Sequence, residues 1–95
     1  MRADLPRGLQ AAQIVHAAGE SVREKVPGDT HAVVLTTPSE ESLEAVRVRL
    51  VRACVPHVAI YEPDAPWNGQ LMALGIEPAR KEDLRKHLSC LPLLK

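Results

Sequence analysis

Two short apolar runs, HVAIYEP (His57–Pro63) and QLMALGI (Gln70–Ile76), lie either side of a segment that regular structure cannot cross. That segment, EPDAPWNG (Glu62–Gly69), overlaps the end of the first run and carries two prolines and an Asn-Gly pair, so it must be a loop. Each run has the length and apolar character of a strand. Asn-Gly beside a strand start is also a hairpin signal, which would set the second strand antiparallel to the first. At 95 residues the chain has room for one domain, residues 1–95, and a marginal core.

The rest of the chain supplies one more strand and three helices. HAVVLTT (His31–Thr37) is β-branched and reads as a buried strand. Before it, a helix is expected from about Gly8 to Lys25, with Ala11, Val15, Ala18 and Val22 on one face and the turn VPGDT (Val26–Thr30) ending it. After it, TPSEE predicts a helix start, with Thr37 as N-cap, Pro38 as first helical residue and Glu40 as capping-box partner. That helix should reach about Cys54 with Leu43, Val46, Leu50 and Ala53 inward, and Glu40, Glu44, Arg47 and Arg52 outside. A last helix runs from Pro78 to about Leu88, pairing Glu82 with Lys86 and turning Leu84 and Leu88 inward. The tail SCLPLLK is expected to pack back on the sheet. Strands alternating with helices predict a three-layer α/β domain on a small mixed sheet, although three strands are few for a sheet covered on both faces.

Charge narrows the function classes. Twelve basic residues balance twelve acidic ones, which argues against a broad nucleic-acid footprint while leaving a local patch open. Aromatic residues are limited to Tyr61 and Trp67, too few for a base-stacking platform. No run suits a membrane span or a signal peptide, so a cytoplasmic location is the expectation. Cys54 and Cys90 lack metal-ligand spacing and read as free thiols of a reducing compartment. His31 and His57 each open a strand with no metal spacing. No metal or cofactor is expected.

With these pieces in order, the chain resembles the archaeal and eukaryotic (second) type of peptidyl-tRNA hydrolase. The resemblance rests on RADL (Arg2–Leu5), Gly8, AAQIVHAA (Ala11–Ala18), HAVVLTTPSEESLEAV, HVAIYEPD and LGIEP (Leu74–Pro78), in the family's order over nearly the whole chain. RxDL followed by AAQxxHA is its most specific part. It implies a compact α/β/α sandwich and cleavage of the ester that joins a peptide to the terminal adenosine of tRNA. The family's first strand precedes RxDL, so here it is expected to be missing or truncated to a stub. That in turn suggests a start assigned too far downstream, or a partner completing the sheet, such as a second copy pairing through an exposed edge. The chain also departs from the family's pattern. Leu9 stands where the family has a lysine, Met72 where it has a threonine, and Glu62, with Asp64 nearby, where it has an aspartate. This is the pattern of a divergent branch that lacks the lysine.

Two readings are open at each candidate residue. Glu62, and secondarily Asp64, can act as general base on water; a carboxylate at a strand end is otherwise a solvated charge or cap, and Asp before Ala-Pro is ordinary turn chemistry. Gln13 and His16, at i and i+3, share a helix face and can meet one ligand, or serve the fold. Arg2 and Arg7 flank the motif and can meet a tRNA phosphate. Arg47, Arg49 and Arg52, beside Glu40, Glu41 and Glu44, read as a solvated face instead. Trp67 can stack on a base or cover the core below its loop. The expected function is a peptidyl-tRNA hydrolase-like domain at tRNA 3′ ends, with backbone N–H groups at the first helix start as oxyanion donors. The alternatives are a non-catalytic RNA- or protein-binding module, and hydrolysis of another ester or amide.

Overall fold

The computed structural model describes all 95 residues, Met1–Lys95. Its elements are α1 (Arg7–Ser21), α2 (Glu40–Arg52), β1 (His57–Glu62), β2 (Gln70–Ile76) and α3 (Lys81–Leu88). β1 and β2 form an antiparallel hairpin, pairing His57 with Ile76 at one end and Glu62 with Gln70 at the other. Asn68 and Gly69 both take positive φ in the connection, as the Asn-Gly signal requires. A bulge falls between Ile60 and Tyr61. Leu71, Met72 and Ala73 are all buried in succession, so both faces of β2 are covered. α1 packs on β1 and β2, α2 packs on β2, and α3 packs on α2. The molecule is a small mixed α/β domain with three helices and a two-stranded antiparallel sheet. None of the helices is long and apolar enough to cross a membrane.

The expected strand His31–Thr37 does not form. Only Leu35 and Thr37 make isolated bridges, to Leu93 and Arg2. His31, Ala32 and Val33 make no main-chain hydrogen bond and lie exposed, since no neighbouring strand reaches them. What the segment does have is a wedge. Met1–Ala3 lies between β2 and Leu35–Thr37: Arg2 N donates to Met72 O, Ala3 N to Thr37 O, and Thr37 N to Met1 O. On the far side the tail closes the layer, with Thr36 N on Pro92 O and Leu94 N on Val34 O. The tail therefore returns to the Val34–Thr36 segment, and its backbone bonds are to that segment and not to the β1–β2 sheet on which it was expected to pack. β-propensity alone leaves His31–Val33 unpaired, because a strand is defined by its neighbours.

The wedge buries a charge. The Met1 ammonium donates to Leu35 O at 3.2 Å, and burial pulls its pKa from 8.0 down to about 6. The unfolded chain then binds more protons than the folded one between those values, so stability rises with pH across that window. A chain with a free Met1 amine should lose about 2–3 kcal/mol on going from pH 8.5 to pH 5.5. Urea midpoints at the two pH values measure this, and acetylating the amine should remove that part of the difference.

Several helix details differ from expectation. α2 is capped by Ser39, not Thr37: Ser39 Oγ accepts from Ser42 N, and Ser42 Oγ accepts from Ser39 N. This reciprocal pair satisfies the N–H groups of Ser39 and Ser42, two residues beyond the expected Thr37–Glu40 box. Glu40 is instead turned to β2, accepting from Leu71 N at 2.8 Å. Leu43, Val46 and Leu50 face inward as the spacing predicts, whereas Ala53 is exposed. α1 stops at Ser21 and presents a different face. Gln10, Gln13, Ala17 and Ser21 are buried, while Val15 is 72% exposed and Ala11, Ala18 and Val22 face solvent with it. α3 buries no residue, and Leu84 and Leu88 are only half-covered.

The reason for the rotation of α1 is Gly75. A Cβ there would stand 2.3 Å from the Ala17 carbonyl oxygen and 3.0 Å from the Ser21 Cβ. The helix backbone lies against the strand backbone, and only small residues fit between them. The most apolar stripe of α1 is therefore not its packing stripe. Its glutamines go inside because they find carbonyl and carboxylate partners there.

Candidate functional site

The C-terminal end of β1 comes to the middle of α1. Gln13 is 3% exposed, and its Nε2 donates to Glu62 Oε2 at 3.3 Å. The other carboxylate oxygen, Glu62 Oε1, accepts from Asp64 N at 3.3 Å. A carboxylate can only accept, so the Gln13 amide is fixed with its nitrogen towards Glu62. Its Oε1 is buried and has no hydrogen-bond partner. Leaving such an acceptor unpaired costs about 1–3 kcal/mol. Beside this pair a groove of about 250 Å³ runs between α1 and β1. Gln13, His16 and Glu20 line one side, and Ala59 to Pro63, including Tyr61 and Glu62, line the other. β1 is paired only with β2.

Three of the residues singled out by sequence meet here: Gln13, His16 and Glu62. Gln13 and His16 share the groove side, as i, i+3 spacing requires. Glu20, one further turn along the helix, completes that side and was not among the expected residues. Extending the i, i+3 pair by four residues would have found it. Asp64 is exposed and serves the turn through its backbone, its carbonyl accepting from Trp67 N and Asn68 N at 3.0 Å each. Its side chain makes no hydrogen bond among those observed.

The remaining residues lie elsewhere. Arg2 is 4% exposed and makes four internal hydrogen bonds: two to the Asp4 carboxylate, one to Gln70 Oε1 at 2.9 Å and one to Leu71 O at 3.1 Å. Its guanidinium lies 5.6 Å from the centre of the Trp67 ring, which is half-buried and packs on the core beneath its loop. Arg2 and Trp67 thus support one another inside the fold, at the hairpin's turn end. Arg7 is exposed and donates to Lys95 O at 3.3 Å. The expected oxyanion donors at the start of α1 do not converge on Glu62. Arg7 is six residues before Gln13, about 9 Å along the helix axis.

Leu9 and Met72, at the positions where the resembled family carries lysine and threonine, belong to the hydrophobic core. Met72 is wholly buried and Leu9 packs against the same cluster. The site is thus a carboxylate with a glutamine, a histidine and a second carboxylate nearby. No ammonium or guanidinium lines it. No group of three or more His, Cys, Asp or Glu side chains is placed to hold a metal ion. His57 Nδ1 is 2.7 Å from Val55 O, a contact within its own chain turn. On the solvated face of α2, Arg47 pairs with Glu44, and Arg49 donates to His87 O.

Fold and groove together describe a small α/β domain with a groove that carries a carboxylate on each side. No family model matches the chain, and no curated protein matches it in sequence.

Proposed function

We propose that this chain is a divergent peptidyl-tRNA hydrolase-like domain that acts at, or binds, the 3′ end of tRNA through the groove between α1 and β1. The observation that carries the reading is the Gln13–Glu62 hydrogen bond. It joins the most specific motif of the resemblance to the strand-end carboxylate, and His16 of the same motif lies alongside. On this reading the domain is a cytoplasmic α/β/α sandwich whose first strand is represented by Met1–Ala3, and its open sheet edge is where a second copy pairs.

The chemistry assigned is simple. Glu62, oriented by Gln13 and the Asp64 N–H, takes a proton from water. The hydroxide attacks the ester carbonyl, and the bond to the ribose oxygen breaks. The departing oxygen takes back the proton held by Glu62, leaving a free acid and an intact tRNA end. The test is release of tRNA from an N-blocked aminoacyl-tRNA by the folded chain. Turnover should fall by about 10²–10⁴-fold in Glu62→Gln, the usual contribution of a general base. No release by the unaltered chain would reject the hydrolase.

One observation favours a second reading, a non-catalytic module that kept the fold. The positions that hold an amine and a hydroxyl in the resembled family are occupied here by core side chains, Leu9 and Met72. In that case tRNA binds without turnover. With zero net charge and Arg2 engaged internally, binding should be weak and steeply salt-sensitive.

A further inference from the structure

We propose that the seam between β2 and His31–Leu35 is a slot one strand wide. In a chain with a free Met1 amine it binds an extended apolar peptide in trans, parallel to His31–Thr37, with the peptide's terminal carboxylate against the Met1 ammonium. The seam lies across β2 from β1 and the groove, so the inference goes beyond the hydrolase reading and does not depend on it.

The two walls of the slot are main-chain edges without partners. Glu77 N donates to Pro56 O on the β1 side, and alternate residues of a strand turn to opposite edges, so Leu74 and Ile76 present their N–H and C=O groups away from β1. On that outer edge Met72 O accepts from Arg2 N, whereas Leu74 and Ile76 have no such partner. On the opposite wall Thr37 N donates to Met1 O and Met1 N to Leu35 O, while Val34 O and Thr36 N are turned to the tail. The same alternation, carried back, turns Leu35 N–H and both main-chain groups of Val33 into the slot, where no hydrogen bond meets them. Met1–Ala3 fills the space between the walls further along, which sets their separation at two strand spacings, about 9.5 Å. An extended peptide can therefore bond to both walls at once, a strand addition with two edges instead of one.

Direction and end follow from Met1–Ala3. Its bridge to Thr37 is parallel. Beyond Ala3 the chain goes on to α1, which starts at Arg7 and meets Gly75 only at Ala17 and Ser21, so Met1–Ala3 runs against β2. Positions in line with it on the Met1 side thus lie beside Leu35 and Val33 on one wall and Leu74 and Ile76 on the other. Met1 is 8% exposed, and its ammonium, with three donors, has Leu35 O as its one acceptor. A carboxylate ending one residue short of Met1 can accept from Leu35 N–H and from the ammonium together, a charge-assisted contact that an amide end does not make. Val33, on the wall itself, is 64% exposed, and the sheet carries α1 and α2 on its two faces, which suits a β-branched, apolar occupant. The tail of the chain does not supply that strand, because it is already bonded to the far edge of Val34–Thr36.

The test uses acetyl-Thr-Val-Lys-Val-Val with a free carboxylate, the same peptide as its terminal amide, and a form with proline at the fourth position. Each is titrated into ¹⁵N-labelled chain at pH 5.5, below the amine's pKa of about 6, with amide hydrogen exchange read by NMR. The free acid should slow exchange at Val33, Leu35 and Ile76, and the terminal amide should bind at least tenfold more weakly. Acetylating the Met1 amine should abolish that difference. The proline form, which lacks a ladder donor, should give no protection. No protection at Val33 and Ile76 with millimolar free acid, or equal binding of the proline form, would overturn the slot. Acid and amide forms that bind alike would overturn the carboxylate assignment. Protection of the same amides that grows with protein concentration in the absence of peptide would give the slot to a second copy and overturn the assignment to a partner peptide.

Discussion

Gly75→Ala should destabilise the domain by about 3 kcal/mol, the upper part of the range for overpacking a close contact. For a domain of this size that is a fall in Tm of roughly 12–24 °C. The obstacle is a main-chain atom: the new methyl would meet the Ala17 carbonyl oxygen at 2.3 Å and its carbon at 2.9 Å. A flexible side chain could swing aside, but here the whole of α1 must move off β2. Trimming the helix side chain therefore brings no recovery, and the double change Gly75→Ala with Ala17→Gly should be no more stable than the single one. Urea denaturation of the parent and the two variants measures this. The same displacement lengthens the Gln13–Glu62 hydrogen bond, already 3.3 Å, so the groove should open along with the loss of stability. A normal Gln13 side-chain signal in a destabilised Gly75→Ala chain would show that the helix had adjusted without disturbing the site.

Arg2→Ala is expected to have an effect of similar size, about 2–4 kcal/mol, for an electrostatic reason. Truncation leaves Gln70 Oε1 and the buried Leu71 O without donors, releases Asp4, and removes the cation beneath Trp67. Lysine should not substitute well, because one ammonium cannot reproduce the fork that holds Asp4 with two nitrogens while a third donates to Gln70 and Leu71. Asp4→Asn should cost less than Arg2→Ala, since Asp4 is 41% exposed and water can replace it. The Arg2 hydrogen bond holds the Asp4 carboxyl below its ordinary value of 3.8. The clamp is thus intact at neutral pH and weakens only as pH falls below that value. Thermal unfolding of the four chains ranks these costs. An Arg2→Lys variant as stable as the parent would show that only the charge matters.

These outcomes bear on what the sequence made legible. The hairpin strands were readable nearly to the residue, because apolar runs bounded by Pro and Asn-Gly leave the chain little choice. Leu43, Val46 and Leu50 were readable as well, since α2 packs by apolar contact and its periodicity states which side that is. α1 follows another rule. Its buried face is set by the close approach of Gly75 and by two glutamines that find acceptors inside, and a scale that ranks side chains by polarity places both glutamines outside. The segment His31–Val33 failed for a related reason, as pairing depends on residues remote in sequence. At the site, Gln13 and His16 were legible from motif and spacing, and Glu62 from its place at a strand end and from the resemblance. The role of Arg2 was not, because nothing local distinguishes an arginine that reaches solvent from one that closes a buried network 69 residues away.

The placing of Met1–Ala3 between two distant parts of the chain has a consequence for how the protein is made. These residues are synthesised before their partners at Leu35–Thr37 and Met72, and the closing contact spans 70 residues. Such long closures are the slow part of assembly. Met1–Ala3 must therefore wait, unpaired, until β2 has emerged and the hairpin has formed. A bulky group placed directly before Met1 would have to be carried into the seam between β2 and Leu35–Thr37, whereas one placed after Lys95 would not.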